Sequence, residues 1–163
     1  IFGLARALLQ SRVFNPAPAA NPETPHMKRN EPITHIMKAN PVTVHTGESL
    51  SDARRKMMDG GFHHLPVVTG NKLVGMLSAT DILRVSYQYD VDDRLADTVL
   101  DHTRTITDVM HTGPVRLQKT STVREAAEVF AKGWFHGVPV CDGDDLVGIV
   151  TTTDMMNYLL DQY

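Results

Sequence analysis

The sequence predicts an α/β protein built from two copies of one strand, helix, strand, strand, helix unit, and three observations predict it. First, residues 33 to 85 align without a gap to residues 106 to 158, Ile33 falling on Ile106 at an offset of 73. Met37 and Met110, Pro41 and Pro114, Phe62 and Phe135, His63 and His136, Pro66 and Pro139, Gly75 and Gly148, and Asp81 and Asp154 are identical across it. Self-similarity at a fixed offset marks a repeated supersecondary unit. Second, both copies change hydrophobic period in the same order, from alternation to a helical stripe and back to compact apolar runs. Third, 163 residues with 42% hydrophobic and 21% charged side chains are the composition of a globular core rather than a disordered chain.

The elements follow in chain order. Ile1, Leu4, Ala5, Leu8 and Leu9 recur at helical spacing, so residues 1 to 13 are expected to form a short amphipathic helix. A signal peptide is the rival, but no basic segment opens it and Arg6 interrupts the apolar stretch. Six of the nine prolines fall between residues 16 and 41, which makes the rest of residues 1 to 30 an extended, Pro-rich linker. The first repeat is expected over residues 31–88, an acidic connection over 89–104, and the second repeat over 105–163.

Within the repeats, Val42 and Val44, matched by Val115 and Leu117, alternate as a short strand. Ser49 or Ser51 can cap a helix of about three turns with Leu50, Ala53 and Met57 buried and Gly60-Gly61 as its stop. The second copy offers Val123, Ala126, Phe130 and Gly133. LPVV and VPVC are compact strands, Gly70-Asn71 and Gly143-Asp144 are hairpin turns, and LVGML and LVGIV are the returning strands. Second helices are expected near Thr80 and Thr153. Five aspartates between Asp90 and Asp101, with Leu95 and Val99 four apart, suggest a short solvated helix in the connection. Arg54, Arg55 and Lys56 should lie on a solvated helix face, with Asp52 spaced to pair with Lys56.

Several function classes are excluded. No apolar run approaches the roughly 20 residues that span a bilayer. Sixteen Lys and Arg against nineteen Asp and Glu give a net charge of −3, contrary to nucleic-acid binding by phosphate neutralisation. One cysteine, Cys141, permits no internal disulfide and no cysteine zinc cluster, in keeping with a reducing cytoplasm. The histidines lack helical His-x-x-x-His spacing, so no metal site is expected. Neither a Gly-rich phosphate loop nor a nucleophile elbow occurs, and no catalytic constellation is expected.

The segments ending Ser78-Ala-Thr-Asp81 and Thr151-Thr-Thr-Asp154 admit two readings. A hydroxyl followed three residues later by a carboxylate caps a helix, worth roughly 1 kcal/mol or less. The same groups can also clamp a ribose and a phosphate, the carboxylate accepting from vicinal hydroxyls while helix-terminal N–H groups face an anion. Recurrence does not separate them, because a cap would recur too.

The repeat, the apolar-x-Pro-Val strand, the Leu-Val-Gly-apolar strand and the Ser/Thr-x-x-Asp ending together resemble a tandem pair of cystathionine β-synthase (CBS) domains, a Bateman module, over about residues 31 to 160. The resemblance implies βαββα repeats packed as a pseudo-twofold pair with helices outside and two clefts between them. In this family such clefts bind AMP, ADP, ATP or S-adenosylmethionine. It implies ribose-binding roles for Asp81 and Asp154 and sugar- or phosphate-side hydroxyls at Ser78 and Thr151. His63 and His136 match positions that face a phosphate in some members, the alternative being strand-entry residues bonded to backbone. His64, replaced by Gly137 in the second copy, would make the clefts unequal. Adenine contacts fall on Val42 and Thr43, on Val115 and Arg116, and on Met76 and Ile149. The implied protein is a non-enzymatic regulatory module, a homodimer acting on an effector protein that the sequence does not name. The rival is a structural interaction module whose clefts stay empty.

Overall fold

The computed structural model describes residues 30–88, 96–133 and 135–163. The expected helix over 1–13, the Pro-rich linker and Leu95 lie outside them. A short 3-10 turn, Ile33–His35, opens the first repeat. It is followed by β1 (Lys38–Ala39), β2 (Val44–His45), α1 (Leu50–Gly60), β3 (His64–Thr69), β4 (Lys72–Ser78) and α2 (Ala79–Gln88). After α3 (Ala96–Thr103) the second repeat runs α4 (Ile106–Val109), β5 (His111–Thr112), β6 (Leu117–Gln118), α5 (Val123–Phe130), β7 (Gly137–Asp142), β8 (Asp145–Thr151) and α6 (Thr152–Leu160). The βαββα order holds in both copies, with an additional short strand, β1 or β5, ahead of each.

Local chemistry accounts for the element ends. The Ser49 side chain accepts from the Asp52 amide at the start of α1, and Gly61 ends that helix at φ 64°, a left-handed conformation that costs glycine nothing. Gly70 and Gly143 take φ 59° and 63° at the first position of the two-residue hairpin turns. The first strands begin later than the alternation predicts, at Val44 and Leu117, because their parallel ladders to β3 and β7 start only there, Val44 facing Val67 and Leu117 facing Val140. Val42 and Val115 are therefore half-exposed approach residues. Helix α5 is also shorter than the expected three turns, ending at Phe130.

Two charge expectations are corrected. Lys56 pairs with Glu48, at 2.5 Å, and with the Thr43 carbonyl, while Asp52 takes Arg55 instead. Glu48 precedes the helix and lies nearer the Lys56 ammonium than a partner on the same face. The connecting helix α3 is not merely solvated. Leu100 is fully buried in the first repeat's core, and Asp101 accepts from both the amide and the hydroxyl of Ser51 at 2.9 and 2.7 Å.

The strands form one ladder in the order β2-β3-β4-β8-β7-β6, with β1 added to β8 and β5 added to β4. The repeats are thus not two separate sheets laid together. Each lends its first strand to the other. Lys38 sits opposite Ile149 and Ala39 opposite Gly148, while His111 sits opposite Met76 and Thr112 opposite Gly75. The cores are exchanged in the same sense: Ile33, at the start of repeat 1, is fully buried among Leu117, Val123, Val138 and Val150 of repeat 2. Ile106, its equivalent, is buried among Val44, Leu50, Leu65 and Leu77 of repeat 1. Burial of one such side chain contributes about 1.5–3 kcal/mol.

The Leu-Val-Gly pattern has a steric cause in this exchange. A Cβ on Gly148 would lie 2.6 Å from the Met37 sulfur and 3.2 Å from the Lys38 carbonyl. On Gly75 it would lie 2.5 Å from the Met110 sulfur and 3.0 Å from the His111 carbonyl. A methionine end can move, but the backbone carbonyl of a paired strand cannot move without loosening the ladder. Gly148→Ala and Gly75→Ala are each expected to destabilise the protein by about 1–3 kcal/mol. Urea denaturation checks this against Gly47→Ala, where the added carbon meets nothing within 4 Å and the midpoint should barely change.

Candidate functional site

The exchange of β1 opens a cleft of about 840 Å³ whose walls come from both repeats. Lys38 to Val42 form one side, Gly61 to Pro66 with Thr80 the floor of repeat 1, and His136, Gly137, Ile149 and Thr151 to Thr153 the side from repeat 2. Asn40 turns the chain after β1 with φ 50°, and Gly113 does so after β5 with φ 59°. Asparagine is among the few residues with a side chain that tolerate this region. Among the expected site residues, Val42, His63, His136, Ile149 and Thr151 are brought together here.

Asp154 follows the cleft-lining Thr153 in the first turn of α6. Its Oδ2 accepts from the Thr151 amide at 2.8 Å and the Thr151 hydroxyl at 2.6 Å, while the Thr151 oxygen accepts from the Asp154 amide at 3.2 Å. That reciprocal arrangement is a capping box. The remaining oxygen, Oδ1, lies 3.4 Å from the Lys38 ammonium. Asp81 repeats the geometry at α2: Oδ2 accepts from the Ser78 amide and hydroxyl at 3.0 and 2.5 Å, and Oδ1 lies 3.1 Å from His111 Nε2. Burial pushes the Asp81 carboxyl up, but the bonds from Ser78 and the His111 ring outweigh it and hold it below the usual carboxylate range. The two oxygens of each carboxylate therefore have different partners. One oxygen caps the helix, and the other is turned toward the opposite repeat.

The histidines divide their labour between backbone and side chain. The carbonyl of His63 accepts from the Ala79 amide and that of His136 from the Thr152 amide, at 2.9 and 3.1 Å. Both side chains remain exposed at the cleft. The Ala79, Asp81, Thr152 and Asp154 amides at the helix starts are thus already bonded within the fold. His64 lies between them, half-buried, its ring 6.5 Å from that of His136. Burial lowers its basicity, and the neighbouring His136 and His63 lower it further against the opposing pull of Asp81.

Other expected contacts are placed differently. Met76 and Ser78 lie with Asp81 and His111 on the second side of the exchange. Thr43 commits its carbonyl to Lys56 at 3.0 Å. Arg116 is turned to the β7–β8 hairpin, bonding Asp144 at 2.9 Å beside the buried Cys141, and Val115 next to it is exposed. Lys38 and His111 escaped the sequence reading. The signal was present: they occupy equivalent positions of the repeat, one past Met37 and Met110, and both can carry positive charge. Among the described residues no group of three or more His, Cys, Asp and Glu could hold a metal ion, and no helix is long and apolar enough to cross a membrane.

Comparison with known proteins places this geometry. The family model described as the CBS domain matches residues 33–87 and 106–161. Protein MJ1404 of Methanocaldococcus jannaschii is 30% identical over 135 residues, 79% of this chain and 32% of that protein. Inosine-5′-monophosphate dehydrogenase of Korarchaeum cryptofilum is 29% identical over 115 residues, 70% of this chain and 21% of the enzyme. The chain spans only about a third to a half of the first curated relatives it matches, 32% and 47%. The CBS domain pair of protein MJ0100, solved with 5′-methylthioadenosine and S-adenosyl-L-methionine, superposes with a TM-score of 0.64 at 26% identity, covering 78% of this chain and 98% of that one. CBSX2, solved with AMP, shares the fold with a TM-score of 0.68 at 22% identity, over 80% and 97%. The twofold match across both repeats, with the exchanged strands and the paired Ser/Thr-x-x-Asp helix starts, shows that the chain belongs to the CBS domain family as a tandem pair.

Proposed function

We propose that the pair is a non-enzymatic regulatory module that binds an adenosine-containing ligand, an adenine nucleotide or S-adenosylmethionine, between its repeats. The observation that carries the reading is the cleft itself. A carboxylate with one oxygen outside its helix cap, Asp154, follows the lining residue Thr153; Lys38 supplies positive charge, and His63, His64 and His136 supply ring nitrogens. Val42 and Ile149 provide apolar walls for a base. A sugar diol at Asp154 and an anionic group at the histidines satisfy both sets. The ligands of the MJ0100 pair, both adenosyl compounds, support the same class. The capping boxes explain Asp81 and Asp154 without any ligand, and that favours the rival structural role only for their Oδ2 atoms.

Because the cleft draws on both repeats, a bound ligand favours whichever arrangement of the repeats gives it more contacts. It can shift that equilibrium only by its difference in affinity. The output then passes to an effector protein or to a second copy of this chain, a homodimer, for which the exposed Met58 and Leu83 beside the groove between α1 and α2 offer an apolar face. A cytoplasmic setting suits the buried Cys141, whose thiol burial makes less acidic.

Asp154→Asn and Asp81→Asn are the informative substitutions, since the amide oxygen can still cap the helix whereas alanine removes the cap as well. Each should weaken binding at its own clamp by about 1.5–3 kcal/mol, roughly ten- to a hundredfold. Calorimetry on the double variant that returns wild-type affinity for AMP, adenosine and S-adenosylmethionine would show the carboxylates to be caps alone.

The depressed basicity of His64 gives a second expectation, measured in Asp81→Asn so that only the cleft beside Asp154 reports. A phosphate at the rings restores proton binding there, so AMP affinity should rise as pH falls from about 8 to about 6, while adenosine affinity stays level. Equal slopes for AMP and adenosine would remove the histidines from the anion's surroundings.

A further inference from the structure

Lys38 and His111 hold equivalent positions in the exchanged strands, and each reaches the spare oxygen of the other repeat's clamp, at 3.4 Å on Asp154 and 3.1 Å on Asp81. A sugar diol needs that same oxygen, because Oδ2 is already saturated by the cap. Lysine is charged throughout the neutral range, whereas imidazole gains its charge only as pH falls toward and below about 6.5. We propose that His111 is a proton-controlled competitor for the sugar diol at Asp81, a role that the lysine at the equivalent position cannot play at Asp154.

The groups around His111 set the sign. Asp81, only 3% exposed, faces the ring from α2. Arg84 approaches the same carboxylate oxygen at 3.6 Å from one turn further along α2, and His64 of β3 lies within the field of Asp81. Protonated, the ring donates to Oδ1 and adds an ion pair that the diol must displace. Neutral, it can turn its lone pair outward and accept from a sugar hydroxyl, joining the ligand rather than opposing it. Acid therefore opposes the diol at Asp81.

The proposal rests on the adenosyl-binding reading, and its test separates the two. Adenosine, which carries no phosphate, is titrated calorimetrically into Asp154→Asn, where only the Asp81 clamp remains. Affinity should rise about two- to fivefold between pH 6 and pH 8, the size of a partly exposed ion pair. His111→Gln should abolish the slope, and His111→Lys should hold affinity at the low, acid value at both pH values. Adenosine binding that is independent of pH in Asp154→Asn, or a slope that survives His111→Gln, overturns the competitor role alone. Failure of both single-clamp variants and the parent to bind adenosine or AMP overturns the functional reading and this one with it.

Discussion

The reciprocal loan of the first strand is the constraint on which the rest of this molecule depends. Backbone bonds between β1 and β8 and between β5 and β4 hold each repeat's opening segment on its partner's sheet. Ile33 and Ile106 fill the partner's core rather than their own. Two glycines make the crossings possible, since any side chain at Gly75 or Gly148 would meet the backbone of the borrowed strand. Neither repeat has a complete core alone. The walls of the cleft are consequently composite, drawn from both halves of the protein.

Much of this was legible in the sequence because the repeat is strict. A gapless offset carries caps, turns, strands and the clamp residues from one copy to the other, and local rules then place Ser49, Gly61, Gly70 and Gly143 at element ends. What periodicity cannot encode is destination. Ile33 and Met37 read as an ordinary apolar pair, and nothing in their spacing says that they serve the other repeat. The same holds for α3, where aspartates suggested solvent but Leu100 fills a gap in the first core and Asp101 binds Ser51. Side-chain partners were the least legible. Lys56 found Glu48 across a loop, and Arg116 found Asp144 on a hairpin, because contacts between elements depend on how those elements pack.

The Ser/Thr-x-x-Asp motif illustrates why a sequence can leave two readings open: they do not compete for the same atom. A carboxylate has two oxygens, and in this fold the cap uses one. The other is left facing a cation contributed by the partner repeat. A repeated backbone plan thus coexists with unequal side chains: Lys38 against His111 at the two carboxylates, and His64 against Gly137 beside His136. Small differences at equivalent positions give the two halves of one fold different side chains around the same backbone.

Hydrogen exchange on the ligand-free chain tests the exchange of segments most directly. If Ile33 is a core residue of the second repeat, Ile33→Ala should cost about 2–5 kcal/mol and should lower amide protection first in α5, β7 and β8, leaving β3 and β4 closer to their original values. Loss of protection confined to β3, β4 and α1, with α5 and β7 unchanged, would contradict the account.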